Sequence, residues 1–131
     1  MDTVQAPIKS PGDVVLVRQL VRRGAQLAGL SLVDQTKIVT AASELARNTL
    51  IHGLGGEMTM QVLEDGARRG VQLTFVDTGP GIPDLAQAMT DGWTSGNGLG
   101  MGLPGARRLV NDFEIHSRVG EGTRVSIARW K

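Results

Sequence analysis

The run Val71-Gln72-Leu73-Thr74-Phe75-Val76 reads as a strand, and Asp77-Thr78-Gly79-Pro80-Gly81 cuts it off abruptly. The proline brings no backbone donor and the glycines accept turn conformations, so the strand cannot run on through this segment. A carboxylate at a strand end followed by Gly-Pro-Gly has two readings. It is a tight turn. Or it is a place where backbone comes close to a ligand, with Gly79 and Gly81 permitting the approach and Asp77 fixing the orientation.

Two other stretches bear on that choice. The first is a helix. Ser31 is placed to cap it, with Asp34 in the first turn near its positive end. Ile38, Ala41, Ala42, Leu45 and Thr49 form its buried face, and Glu44, Asn48 and His52 follow one another at four-residue steps along one side. A carboxylate and an amide so placed face one pocket, or they belong to an exposed polar face. Arg47 is either an exposed arginine or a phosphate contact. The second stretch is Gly96-Asn97-Gly98-Leu99-Gly100-Met101-Gly102-Leu103, which runs straight into a helix. Such a loop offers successive backbone N–H groups to phosphate oxygens, or it is a flexible loop that ends at a helix start. It is no P-loop, because no Gly-Lys-Ser/Thr follows. No Lys or Arg occurs between Ile82 and Gly102, so a bound triphosphate needs a metal ion and backbone donors for most of its charge. Asn48 is then a candidate Mg²⁺ ligand and Glu44 a candidate base for a hydroxyl proton.

The rest of the chain supplies a scaffold. A short edge strand is expected near Val4–Lys9. Ser10-Pro11 starts a helix whose stripe is Val14, Val17, Val21 and Ala28, with Leu20 and Leu27 beside it, and Gly29 ends it. Arg18, Arg22 and Arg23 lie mostly off that stripe and read as a solvated face. Gly53-Leu54-Gly55-Gly56 breaks the second helix. Glu57–Leu63 alternates as a strand, and the loop Asp65–Gly70 joins it to Val71–Val76. After Pro83 a short helix is expected over Asp84–Asp91, then a flexible stretch over Gly92–Gly100. A helix over Leu103–Asp112 turns Leu103, Ala106, Leu109 and Val110 inward. Phe113–Val119 and Thr123–Trp130 form a hairpin about Gly120-Glu121-Gly122. Helices and antiparallel strands mixed without strict alternation give an α+β sandwich.

Length and composition bound the function. At 131 residues the chain is a single domain with a real core. A net charge of +1 implies neither a nucleic-acid partner nor a membrane-surface patch. No apolar run nears the roughly 20 residues of a membrane span and no signal peptide opens the chain. The absence of cysteine rules out disulfides and thiolate zinc sites and fits a cytoplasmic protein. Two histidines are too few for a histidine-built metal centre.

Taken together, the three stretches resemble a known family. Glu44-Leu45-Ala46-Arg47-Asn48 resembles the N box of the GHKL ATPase/kinase superfamily, the group that includes gyrase and the sensor histidine kinases. Asp77-x-Gly79-x-Gly81 resembles its G1 box, and Gly98-Leu99-Gly100-Met101-Gly102-Leu103 its G2 box. Order and separations agree, and the resemblance covers about residues 8–130. It implies the Bergerat fold: a two-layer α/β sandwich with a mixed, mainly antiparallel sheet and helices on one face. It also implies ATP and Mg²⁺. Asp77 would accept from the adenine amino group, Thr123 would support that contact, Asn48 would hold Mg²⁺, and the Gly96–Gly102 lid would cover the phosphates.

No phosphoacceptor-histidine helix pair is present, so the chain does not resemble a complete histidine kinase. It is similar to the small anti-sigma-factor serine/threonine kinases and the RsbT-like stressosome switch kinases. Ala42-Ser43-Glu44-Leu45-Ala46-Arg47-Asn48, Asp91-Gly92, Gly98–Gly105 and Trp130 carry that likeness. The resemblance implies a serine or threonine on a STAS-domain protein as substrate and an RsbU-like phosphatase as second partner. A sigma factor is the alternative partner, in an ATP-gated binding protein with little or no kinase activity. The intact Glu44 favours the enzyme. His52 is either a helix-end histidine near the negative dipole or a catalytic one.

Overall fold

The computed structural model describes residues 3–82, 89 and 102–131. Five strands are found among them: β1 (Thr3–Ile8), β2 (Gly56–Asp65), β3 (Arg68–Asp77), β4 (Asp112–Arg118) and β5 (Gly122–Trp130). They form one sheet in the order β1-β2-β3-β5-β4, and every neighbouring pair is antiparallel. Helices α1 (Pro11–Leu27), α2 (Leu32–Ile51) and α3 (Gly102–Arg108) complete the described elements. The expected α+β sandwich is present.

The two long helices start and stop where local chemistry dictates. Ser10 accepts a hydrogen bond from the Asp13 N–H, and Pro11 occupies the first helical position. At the far end the Gly29 N–H donates to the Gln26 carbonyl and the Leu30 N–H to Ala25, with Gly29 at φ +78°. This paired closure satisfies two terminal carbonyls and needs a left-handed residue, which glycine supplies. Leu30 then buries itself under the turn. Ser31 caps α2 through the Asp34 N–H.

One sheet face is apolar and the helices cover it. Met58 and Met60 of β2, Val71, Leu73 and Phe75 of β3, and Val125 and Ile127 of β5 are buried at alternate positions. They meet Val17, Val21 and Ala25 of α1 and Ile38, Ala42 and Leu45 of α2 in one core. Burying a side chain such as Phe75 or Leu45 contributes about 1.5–3 kcal/mol. Gly24 lets α1 close on the sheet, since a Cβ there would lie 2.7 Å from Met60 Sδ.

The elements differ from expectation in three places. The β2–β3 hairpin is longer than expected: the strands run to Asp65 and from Arg68, and only Gly66 and Ala67 turn the chain. Gly70 is therefore a strand residue, not a loop end. It lies beneath the Trp130 ring, and a Cβ there would come within 2.8 Å of that ring. Helix α3 stops at Arg108 instead of Asp112. The Asn111 N–H donates to the Ala128 carbonyl and its Oδ1 accepts from the Trp130 N–H, so pairing with β5 outcompetes another helical turn. Leu109 and Val110 still pack on the core from the turn that results. Leu27, expected beside the apolar stripe, is 63% exposed. The short helix expected over 84–91 and the stretch 92–100 lie outside the described residues, apart from Met89.

Candidate functional site

Asp77 is the last residue of the central strand β3, paired with Gly56 of β2 on one side and Thr123 of β5 on the other. It is 8% exposed and has no cationic partner among the described residues, a rare state for an aspartate. Its Oδ1 accepts the Gly79 N–H at 2.9 Å and the Thr123 N–H at 3.3 Å. Both bonds fall on one oxygen, which leaves Oδ2 without a donor among the described residues. A buried carboxylate held by one oxygen presents the other as a fixed acceptor.

Glycine backbone walls the carboxylate in. A Cβ on Gly53 would overlap the Asp77 side chain, and one on Gly79 would lie 2.6 Å from the Gly53 carbonyl oxygen. A Cβ on Gly81 would overlap the Arg118 carbonyl, and Gly81 also sits at φ +78°. The turn after β3 is thus wedged between the C-terminal end of α2 and the β4–β5 hairpin. The tightness of Gly79 and Gly81 comes first from the protein's own backbone.

Ser117 ties this turn to the sheet, and nothing in its sequence neighbourhood marks it. Its hydroxyl accepts the Ile82 N–H at 2.8 Å, lies 2.8 Å from Thr123 Oγ1, and donates to the Gly122 carbonyl at 3.2 Å. One arrangement satisfies all three contacts: Ser117 donates to Gly122 and Thr123 donates to Ser117. Thr123 therefore supports Asp77 through its backbone N–H, while its side chain serves Ser117. The signal for Ser117 is the register that sets it opposite Thr123, and register is a tertiary fact. Gly53 was legible only as a helix breaker.

Helix α2 carries the second set. Glu44 and Asn48 are half-buried, and His52 caps the helix at an exposed position. Arg47 Nη1 donates to Glu44 Oε1 at 2.8 Å. The Asn48 carbonyl receives the His52 and Gly53 N–H groups, which closes the helix directly above Asp77. Glu44 precedes Gly53 by nine residues, so it stands about 14 Å farther along the helix axis. One helix thus spans from the buried acceptor at Asp77 to the carboxylate–amide pair. Of the glycine-rich stretch, Gly96, Gly98, Leu99, Gly100 and Met101 lie outside the described residues. Gly102 opens α3 at φ +44°, and the Leu103 side chain is buried in the core rather than turned to a cleft. Among the described residues, no group of three or more His, Asp or Glu side chains could hold a metal.

Residues 33–131 match the family described as histidine kinase-, DNA gyrase B-, and HSP90-like ATPase. The chain belongs to that family. It is 41% identical to the serine/threonine-protein kinase RsbT of Bacillus subtilis, over 94% of this chain and 92% of that one. It is 31% identical to the anti-sigma F factor of Geobacillus stearothermophilus, over 73% of this chain and 69% of that one. A solved structure of the RsbU and RsbW domains of a Mycobacterium tuberculosis protein superposes with a TM-score of 0.68. That match has 20% identity and covers 98% of this chain and 32% of the other, so it speaks to the fold. Membership of an ATPase family implies that the chain binds ATP, and the end of β3 at Asp77 forms a floor beneath the end of α2. None of the described helices is long and apolar enough to cross a membrane.

Proposed function

We propose that this GHKL protein kinase transfers the γ-phosphoryl group of ATP to a serine or threonine of a STAS-domain protein, as a cytoplasmic partner-switching enzyme. The observation that carries it is the half-buried Glu44 carboxylate one turn before Asn48, on the helix whose end closes over Asp77. The base of ATP is read by Asp77 Oδ2, which accepts from the adenine amino group. Gly79, Gly81 and Thr123 hold that carboxylate in place, and the phosphates lie along α2. Asn48 suits Mg²⁺, because its side-chain oxygen is a hard donor and that ion draws the rest of its ligands from phosphate and water oxygens. Bound there, Mg²⁺ would neutralise phosphate charge. Glu44 accepts the proton of the incoming hydroxyl. The backbone of Gly96, Gly98, Leu99, Gly100, Met101, Gly102 and Leu103 supplies the phosphate donors.

The kinship with RsbT supports the enzyme, with an RsbU-like phosphatase as a second partner. The kinship with anti-sigma F factors supports a second reading, in which a sigma factor is bound under the control of ATP. Kinetics separate the two. Glu44→Gln should keep ATP affinity near wild type and cut phosphotransfer by roughly 10²–10⁴-fold. Asn48→Ala should weaken Mg²⁺-dependent nucleotide binding instead. Single-turnover labelling of a STAS-domain protein and nucleotide titration measure both. A Glu44→Gln variant that transfers phosphate at the wild-type rate removes Glu44 as base, whereas a wild-type chain that labels no STAS-domain protein favours the binding protein.

A further inference from the structure

We infer that Arg47 is a positioning residue for this transfer: it holds one oxygen of the Glu44 carboxylate so that the other is presented to the incoming hydroxyl. The inference rests on the kinase reading and on Glu44 as its base. Its observation is separate, namely the 2.8 Å contact from Arg47 Nη1 to Glu44 Oε1. The contact is asymmetric. The Glu44 side chain is 15% exposed and that of Arg47 44%. The carboxylate thus sits in the protein surface while the guanidinium closes over it from outside.

A pair three residues apart on a helix adds little to stability when both partners are solvated. Its stronger effect here is on direction. A glutamate has a broad terminal torsion, so an untethered carboxylate turns between many orientations. With Oε1 held, Oε2 carries the free lone pairs. In the transfer step the hydroxyl proton passes to Oε2 and the hydroxyl oxygen bonds to the γ-phosphorus. The bond from that phosphorus to the β,γ-bridging oxygen breaks, and its electron pair leaves on ADP. A carboxylate already aimed loses no orientational freedom at that moment. A competing role for Arg47, direct contact with the phosphates, would draw the guanidinium away from Glu44 and show itself in nucleotide affinity.

The test compares Arg47→Met, Arg47→Lys, Glu44→Gln and the double variant Glu44→Gln/Arg47→Met. The acceptor is a purified STAS-domain protein that the wild-type chain phosphorylates, and Mg²⁺-ATP binding is measured by calorimetry. Arg47→Met should lower kcat by about 10–100-fold, with ATP affinity and the KM for the acceptor within about twofold of wild type. Arg47→Lys, which keeps one charged donor, should recover part of the rate. The double variant should be no slower than Glu44→Gln alone, because Arg47 acts only through that carboxylate. A tenfold loss of ATP affinity with kcat kept would overturn the inference in favour of a phosphate contact. Additive losses in the double variant, or a raised KM alone, would also overturn it. Should Glu44→Gln itself run at the wild-type rate, Glu44 is not the base and the Arg47 assignment falls with it; a wild-type chain that transfers no phosphate fails the kinase reading instead.

Discussion

At the scale of single residues, the site is defined by how few groups hold Asp77. Two backbone N–H groups converge on Oδ1, and Gly53 presses against the same side chain. Asp77→Asn should therefore keep the fold and lose ATP. The amide can still accept at the oxygen facing Gly79 and Thr123, but it turns a donor toward the adenine donor. The lost charge-assisted bond is worth about 1.5–3 kcal/mol, a tenfold or greater drop in affinity. Titration calorimetry on a variant with unchanged circular dichroism checks it, and unchanged affinity would remove Asp77 from the adenine contact. Gly53→Ala makes the complementary point from the other wall. Its Cβ must displace the carboxylate, so nucleotide affinity should fall although Gly53 itself offers no side chain to a ligand.

At the scale of elements, the β4–β5 hairpin does more than complete the sheet. Through Ser117 it fixes Ile82 and Gly122, one on each side of the Asp77 floor. Ser117→Ala leaves the Ile82 N–H without its acceptor, at a cost of about 1–3 kcal/mol if the site stays dry. The expected result is lower stability and weaker ATP binding together, read by urea unfolding and by titration. A variant with full ATP affinity would show that the hairpin does not support the floor. The hairpin's other end is held from outside. Trp130 Nε1 donates to Asp112 Oδ2 at 2.9 Å, and Arg68 stacks 4.2 Å above the indole ring. Trp130→Ala should cost about 1–3 kcal/mol through lost packing and the cation–π contact, without touching nucleotide affinity.

At the scale of the whole molecule, one ion pair joins the ends of three elements. Arg129 of β5 donates to Asp34 at 2.8 Å in the first turn of α2, and to the Leu109 carbonyl at 3.4 Å just past α3. The Arg129 hydrogen bond holds the Asp34 carboxyl below its ordinary value of 3.8, against desolvation, which raises it. A carboxylate whose folded pKa is depressed stabilises the fold above its unfolded value. That contribution is lost as the pH falls below 3.8 and through the folded pKa. Asp34→Asn should thus be less stable than wild type at neutral pH, by about 1–2 kcal/mol for a half-buried pair. The difference should close in acid. A gap that stays constant down to about pH 2 would show that the ionised carboxylate is not what links the elements.

Local chemistry by itself determined much of this protein. Ser10, Ser31 and Gly29 set the helix ends because caps and left-handed closures depend on a few adjacent residues. The alternation in β2, β3 and β5 set the covered face, because side chains on a strand alternate sides whatever they pack against. Asp77 and the line of Glu44 and Asn48 stood out because chemistry was spaced at structural periods. Tertiary structure alone decided the rest. Ser117 became a support for the floor only through the register that sets it opposite Thr123. Gly53 became a wall only because the end of α2 comes down on Asp77. Arg47 met Glu44 rather than solvent, a choice among rotamers that spacing leaves open. The end of α3 was settled by competition, since Asn111 gains strand partners in β5 that another turn of helix could not offer.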